Sequence, residues 1–220
     1  MKIFFTLFAL VAVLLAGYPF LDSSEKSETL SGLPWQIEIQ ADGSTQVFGL
    51  HIGVSRLSDA VAALGSDYEL AIIAATSAVS ADQTGNLEMY FGHYQSGLLS
   101  GKMVLLADSS EQSIKRWLQN EIKSDYMASG QAKKHSLSSD DLPEVLNEVI
   151  TGITFIPAIN LDEKTLLSRF GAPQQIIRSA DVTHYLYPEK GLDIALYEKS
   201  KEVLQYVSPT AFQQLVKPLL

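Results

Sequence analysis

Ile3–Phe20 (IFFTLFALVAVLLAGYPF) runs without a single charge, and no other stretch limits the chain's options as strongly. A segment this apolar must leave water. It has the length of a short membrane-spanning helix, for which about 17–25 residues are needed. A secretory signal normally has an apolar core of about 7–15 residues followed by a small-x-small exit. Here the exit reads Leu15-Ala16-Gly17-Tyr18-Pro19-Phe20, without a clean A-x-A. The reading predicts an uncleaved signal anchor over residues 1–20, with cleavage as the alternative. Lys2 precedes the stretch and no positive charge follows until Lys26, which predicts a cytoplasmic N-terminus. The expected location is the inner membrane, single-pass, with the C-terminal domain in the periplasm. The alternative is a periplasmic protein released by cleavage.

Residues 21–34 are polar and rich in Ser and Glu, as a flexible tether is. Residues 21–220 carry all 25 acidic groups and 15 of the 16 basic ones, a net of −10. Such a surface argues against nucleic acid as a partner. The chain has no cysteine, so disulfide, zinc-thiolate and iron–sulfur chemistry are excluded.

The region 35–220 alternates short helical and strand patterns. Trp35–Ile39 alternates apolar and polar residues, and Asp42-Gly43 marks a hairpin turn. Ser55 is placed to cap a helix through Leu57, Ala60, Val61 and Leu64, stopped by Gly65. Strands are predicted at Tyr68–Ala75, Leu87–Tyr94 and Lys102–Ala107, with a loop over Thr76–Asn86. A long helix is expected from Glu111 to about Ala128, on the stripe Ile114, Trp117, Leu118, Ile122 and Tyr126. A short helix follows around Pro143–Val149, and a strand at Ile153–Ile156. Asn160 is placed as the cap of a further helix that ends at Gly171. Four strands then follow, at Gln174–Arg178, Thr183–Tyr187, Leu192–Tyr197 and Val203–Val207, before a last helix at Thr210–Val216.

Gly65 and Gly171 both end a helix, and Gly97-Leu98 and Gly191-Leu192 both open an apolar strand. The expected fold class is therefore α+β. It has two tandem helix-then-antiparallel-sheet repeats behind an N-terminal membrane helix. Repeat one covers about 46–108, a helical insert 109–150, repeat two about 153–207 and a C-terminal helix 209–217.

The second copy, through Phe170-Gly171-Ala172-Pro173, Tyr185-Leu186-Tyr187-Pro188 and Gly191-Leu192, resembles the repeat of small envelope lipoproteins of the SmpA/OmlA type. The same unit occurs in tandem in β-lactamase-inhibitor-like proteins. Gly53-Val54-Ser55 is similar to the family's glycine–hydrophobe–Ser/Thr helix entry. As a whole the chain resembles a group of singly anchored proteobacterial envelope proteins, which implies no activity. Tyr18 stands where a lipoprotein would carry its lipidated cysteine.

Chemistry is sparse. His51, His93, His135 and His184 form no H-x-H or H-x-x-x-H pair. His93 and His184 lie in matching aromatic strands, where convergence would make a metal site conceivable, but flanking a sheet is the plainer role. No G-x-S-x-G or phosphate-loop spacing occurs. Asp140-Asp141 precedes Leu142-Pro143 and suits a helix start. Lys133-Lys134-His135 is a small basic spot, read as solvated. Tyr90, Phe91, Tyr94, Tyr185, Tyr187, Tyr197 and Tyr206 all fall on expected strands, and tyrosine-bearing sheet faces suit protein contact. The expected function is a membrane-tethered binding or envelope-assembly accessory module, not an enzyme, without cofactor or metal. Its partners would be another envelope protein and, through Ile3–Phe20, the inner membrane. Tyr185 and Tyr187 are the candidate partner-binding residues. The alternative is an enzyme or small-ligand-binding protein whose site has no recognisable spacing.

Overall fold

The computed structural model describes residues 31–76 and 85–219. The expected anchor Ile3–Phe20 and the tether up to residue 30 lie outside the described residues, as does most of the loop at Thr76–Asn86. No helix among the described residues is long and apolar enough to cross a membrane. The expectation of a single-pass inner-membrane protein with a periplasmic domain is corrected accordingly, since no membrane-spanning helix among the described residues supports it.

A small sheet opens the described chain: β1 (Glu38–Ile39), β2 (Thr45–Val47) and β3 (Leu50–His51), paired antiparallel in that order. Its first turn is the expected one. Gly43 takes φ +80°, and the Asp42 carboxylate accepts from the Ser44 backbone N–H. The second turn drives Phe48 into the core, where its ring meets Tyr94, Phe155 and Tyr206 at centroid distances of 5.4, 5.3 and 5.5 Å. The phenol of Tyr206 donates to the Pro34 carbonyl and that of Tyr94 to the Gly32 carbonyl. Two buried tyrosines thus hold residues 31–36 against the domain.

Ten further strands form one sheet. In chain order they are β4 (Glu69–Ala75), β5 (Gly85–Ser96), β6 (Leu99–Asp108), β7 (Lys123–Tyr126), β8 (Ala132–Ser136), β9 (Val149–Pro157), β10 (Gln175–Arg178), β11 (Val182–Tyr187), β12 (Leu192–Tyr197) and β13 (Val203–Val207). Across the sheet the order is β10-β11-β12-β13-β9-β6-β5-β4-β8-β7, with every neighbour antiparallel. Among the described residues the α-helices are few and short: α1 (Leu57–Leu64), α2 (Glu111–Gln119), α3 (Leu142–Val145), α4 (Glu163–Phe170) and α5 (Phe212–Val216).

The expected α+β fold of two helix-then-sheet repeats is therefore overturned. The described residues are mostly β, with sparse helices, one ten-stranded antiparallel sheet and a separate three-stranded one. Two physical causes account for the difference. The strand β9 pairs with β6 on one side and β13 on the other, so its hydrogen bonds merge two strand sets into one. The stretch expected as a long helix to Ala128 stops at Gln119, because the next residues find partners in β8 instead. Ile122 and Tyr126, counted as its apolar stripe, are 71% and 68% exposed.

One face of the sheet carries the main core. Leu87, Met89 and Phe91 of β5, Met103 and Leu105 of β6, Ile153 and Phe155 of β9, and Leu204 and Tyr206 of β13 are all at most 1% exposed and pack together. They alternate along their strands with residues of the opposite, outer face, as the period of two requires. Gly171 ends α4 at φ +83°, a conformation that costs a β-branched residue about 1–2 kcal/mol. Gly191 is more constrained. At φ +63°, a Cβ there would lie 1.9 Å from the Val207 carbonyl oxygen.

Candidate functional site

The outer face is treated differently at its two ends. At the β10–β13 end, α5 lays Phe212 and Val216 on Leu186 of β11, with Ile177 and Val207 at the margins. At the β4–β6 end no described element covers it. There Ala71 and Ile73 of β4, Tyr90 of β5 and Val104 of β6 form the floor of a concavity of about 340 Å³, near the low end of the range for small-ligand pockets (about 300–1,000 Å³). Register places the pieces: Ala71 stands opposite Glu88, Glu69 opposite Tyr90, and Tyr90 opposite Val104. Met127, just past β7 and 41% exposed, closes one side. Lys134 of β8, opposite Ile73, reaches Glu69 in an ion pair that forms the rim.

Glu88 is the unusual group. It sits between Ala71 and Leu106 in register, and the surrounding apolar surface raises its carboxyl above the ordinary value by desolvation. No hydrogen bond or ion pair joins it to a described residue. Each outer-face end thus sets a carboxylate among apolar residues, Glu88 at the open end and Asp193 at the covered one, but among the described residues only Asp193 is answered. At the covered end Asp193 is 2% exposed, and His184 Nδ1 lies 2.8 Å from its Oδ2. Burial raises the Asp193 carboxyl, and the histidine's hydrogen bond and charge counteract that rise.

The two tyrosines predicted to bind a partner do not face solvent. Tyr185 and Tyr187 are each 3% exposed. They point into the core while Leu186 between them lies under α5, so β11 is covered on both faces and has no free side. Tyr187 donates its phenol to the Gly171 carbonyl at 2.9 Å, and burial pushes its pKa up to about 12. Of the other strand tyrosines, Tyr94 and Tyr206 are buried, whereas Tyr90 faces the open concavity.

His93 and His184 are not brought together. They lie on β5 and β11, five strand steps apart, or about 24 Å at the usual strand spacing. Among the described residues no group of three or more His, Asp or Glu side chains is placed to hold a metal ion. The basic spot at 133–135 is dispersed. Lys134 pairs with Glu69, Lys133 lies 4.8 Å from the Tyr126 ring centroid, and His135 is buried against Glu121.

Folding does assemble one constellation that spacing alone did not reveal: Ser44, His51 and Asp42. Ser44 Oγ meets His51 Nε2 and donates to Asp42 Oδ1. A catalytic triad needs its acid on the other imidazole nitrogen, to fix the tautomer that accepts the serine proton. Here Asp42 lies 3.8 Å from the same Nε2. The arrangement is a hydrogen-bonded hairpin turn.

Compared with family models, with curated proteins and with solved structures, the chain finds no match.

Proposed function

We propose that this chain is a binding module, working by contact and not by turnover, and that its contact surface is the uncovered end of the outer sheet face. One observation carries the reading: a single sheet face is covered by the chain's own α5 at one end and left with an apolar floor at the other. An apolar floor in water gains free energy when it is covered, at about 25 cal/mol per Å², and unpartnered patches of this kind mark interaction sites. The proposed occupant is a polypeptide segment that lays apolar side chains on Ile73, Tyr90 and Val104, as α5 lays Phe212 and Val216 on Leu186. Tyr90 is the rigid aromatic contact, the role sequence reasoning gave to Tyr185 and Tyr187.

The test is site-specific crosslinking in cells. A photoreactive phenylalanine in place of Tyr90 should yield one discrete adduct, identified by mass spectrometry. The same group in place of Tyr197, exposed at the other end of the sheet, should not. Ile73→Asp in the first variant should weaken capture by about 1–2 kcal/mol or more if the floor is a hot spot. Equal adducts from both positions, or an adduct indifferent to Ile73→Asp, would sink the reading.

A further inference from the structure

We infer that the open concavity receives a cationic group on an aliphatic stem, a lysine-type side chain of the partner segment, with Glu88 as its counter-ion. This rests on the reading of the face as a docking surface.

Three observations point to a cation. First, Glu88 is a carboxylate among Ala71, Tyr90 and Leu106, with no described hydrogen-bond or ionic partner. A charge left in apolar surroundings is costly unless it is paired, and the Asp193–His184 pair shows this same sheet face pairing a carboxylate at its covered end. Second, the nearby ammonium is already engaged: Lys134 is bound to Glu69 at the rim. The unanswered charge in the concavity is therefore negative, and the missing partner is positive. Third, the floor between rim and carboxylate is made of Ala71, Ile73 and Val104. That surface suits a methylene stem and offers no polar group to a compact hydrophilic ion. Long basic side chains bury their stems along apolar surface while their head keeps a polar contact. The net charge of −9 favours the approach of such a segment from a distance. The ring of Tyr90 stands beside the carboxylate on the same strand, where an aromatic face adds attraction for an ammonium.

The test uses the full chain with labelled Ala, Ile and Val methyl groups, titrated with n-hexylammonium, n-hexanol and n-hexanoate by NMR. Hexylammonium is expected to shift the methyl signals of Ala71, Ile73 and Val104 and to bind more tightly than hexanol, with hexanoate weakest. In Glu88→Gln, hexylammonium should weaken at least about tenfold, the size expected when a hydrogen bond to a charged group is lost. Hexanol should bind both proteins equally. A second readout comes from the wild type: the Glu88 carboxyl carbon should move with hexylammonium and not with hexanol. If hexanol matches hexylammonium, or Glu88→Gln changes nothing, the cation inference falls while the open apolar face stands. If none of the three probes moves those methyl signals, the inference falls as well. The docking surface then depends only on the crosslinking at position 90.

Discussion

The two ends of the outer sheet face answer the same physical problem in opposite ways. Each carries apolar side chains on the face away from the core, and each sets a carboxylate among them, Asp193 at one end and Glu88 at the other. At the β10–β13 end the chain supplies the cover, Phe212 and Val216, and the partner, His184 for Asp193. At the β4–β6 end no described residue supplies either: among the described residues Ile73 and Val104 stay uncovered and Glu88 unpaired. The difference teaches that an apolar outer face is not a defect of this fold. Among the described residues the covering device, α5, is laid on one end of the face and not on the other. Where cover is intramolecular, its removal should cost stability; where it is left to a partner, removal of the apolar groups should cost binding.

The largest expected effect breaks the covered end. Phe212 of α5 is 2% exposed where it packs on Leu186, and large-to-small changes of a buried Phe cost about 3–5 kcal/mol. Phe212→Ala should lower the unfolding free energy in urea by that order. Ile73→Ala, at the open end, should stay under about 1 kcal/mol, as surface changes usually do. Equal costs at both positions would abolish the distinction between the ends.

Tyrosines sharpen the same contrast on a smaller scale. Tyr187 is buried and its phenol donates to the Gly171 carbonyl, so Tyr187→Phe should lose about 1 kcal/mol, the net worth of one such bond. Tyr90→Phe should leave the denaturation midpoint where it is. A Tyr187→Phe midpoint identical to wild type would show that the hydroxyl is not holding the α4 terminus.

Much of the local structure was legible from residues alone. The four strands after Gly171 were read at 174–178, 183–187, 192–197 and 203–207 and are found within one residue of those bounds, because Ser179–Asp181, Pro188–Gly191 and Glu198–Lys201 punctuate them. Helix entries were less legible: Arg56 and Asp162 occupy the N-cap positions expected of Ser55 and Asn160. Sheet order was not legible, since pairing between distant strands leaves no mark on spacing. The site was hidden for a related reason. Ala71-Ile72-Ile73-Ala74 and Met103-Val104-Leu105-Leu106 are apolar at successive positions, which states that both faces of β4 and β6 are apolar. Which face is covered depends on where the small sheet, α1 and α2 pack, and that is a tertiary fact. Alternation tells that Tyr185 and Tyr187 share a face, not which face lies inward, and theirs is the buried one.

The smallest expected effect has the most diagnostic sign. Burial raises the Glu88 carboxyl above its ordinary 4.5, and no cation among the described residues offsets the rise. The folded state therefore holds the proton more tightly than the unfolded chain does. Stability falls as pH rises wherever the native state binds more protons. Below the unfolded value both states are protonated and Glu88 costs nothing; above the raised folded value its full cost is present. Glu88→Gln should consequently raise the melting temperature at pH 7, and the gain should shrink as pH falls through the window just above 4.5. The same substitution at an ion-paired glutamate would do the reverse, lowering stability at neutral pH. Melting curves of both proteins between pH 4 and pH 8 decide it: a Glu88→Gln protein less stable at pH 7 would mean that Glu88 already has an internal cation, and the open end would then be as complete as the covered one.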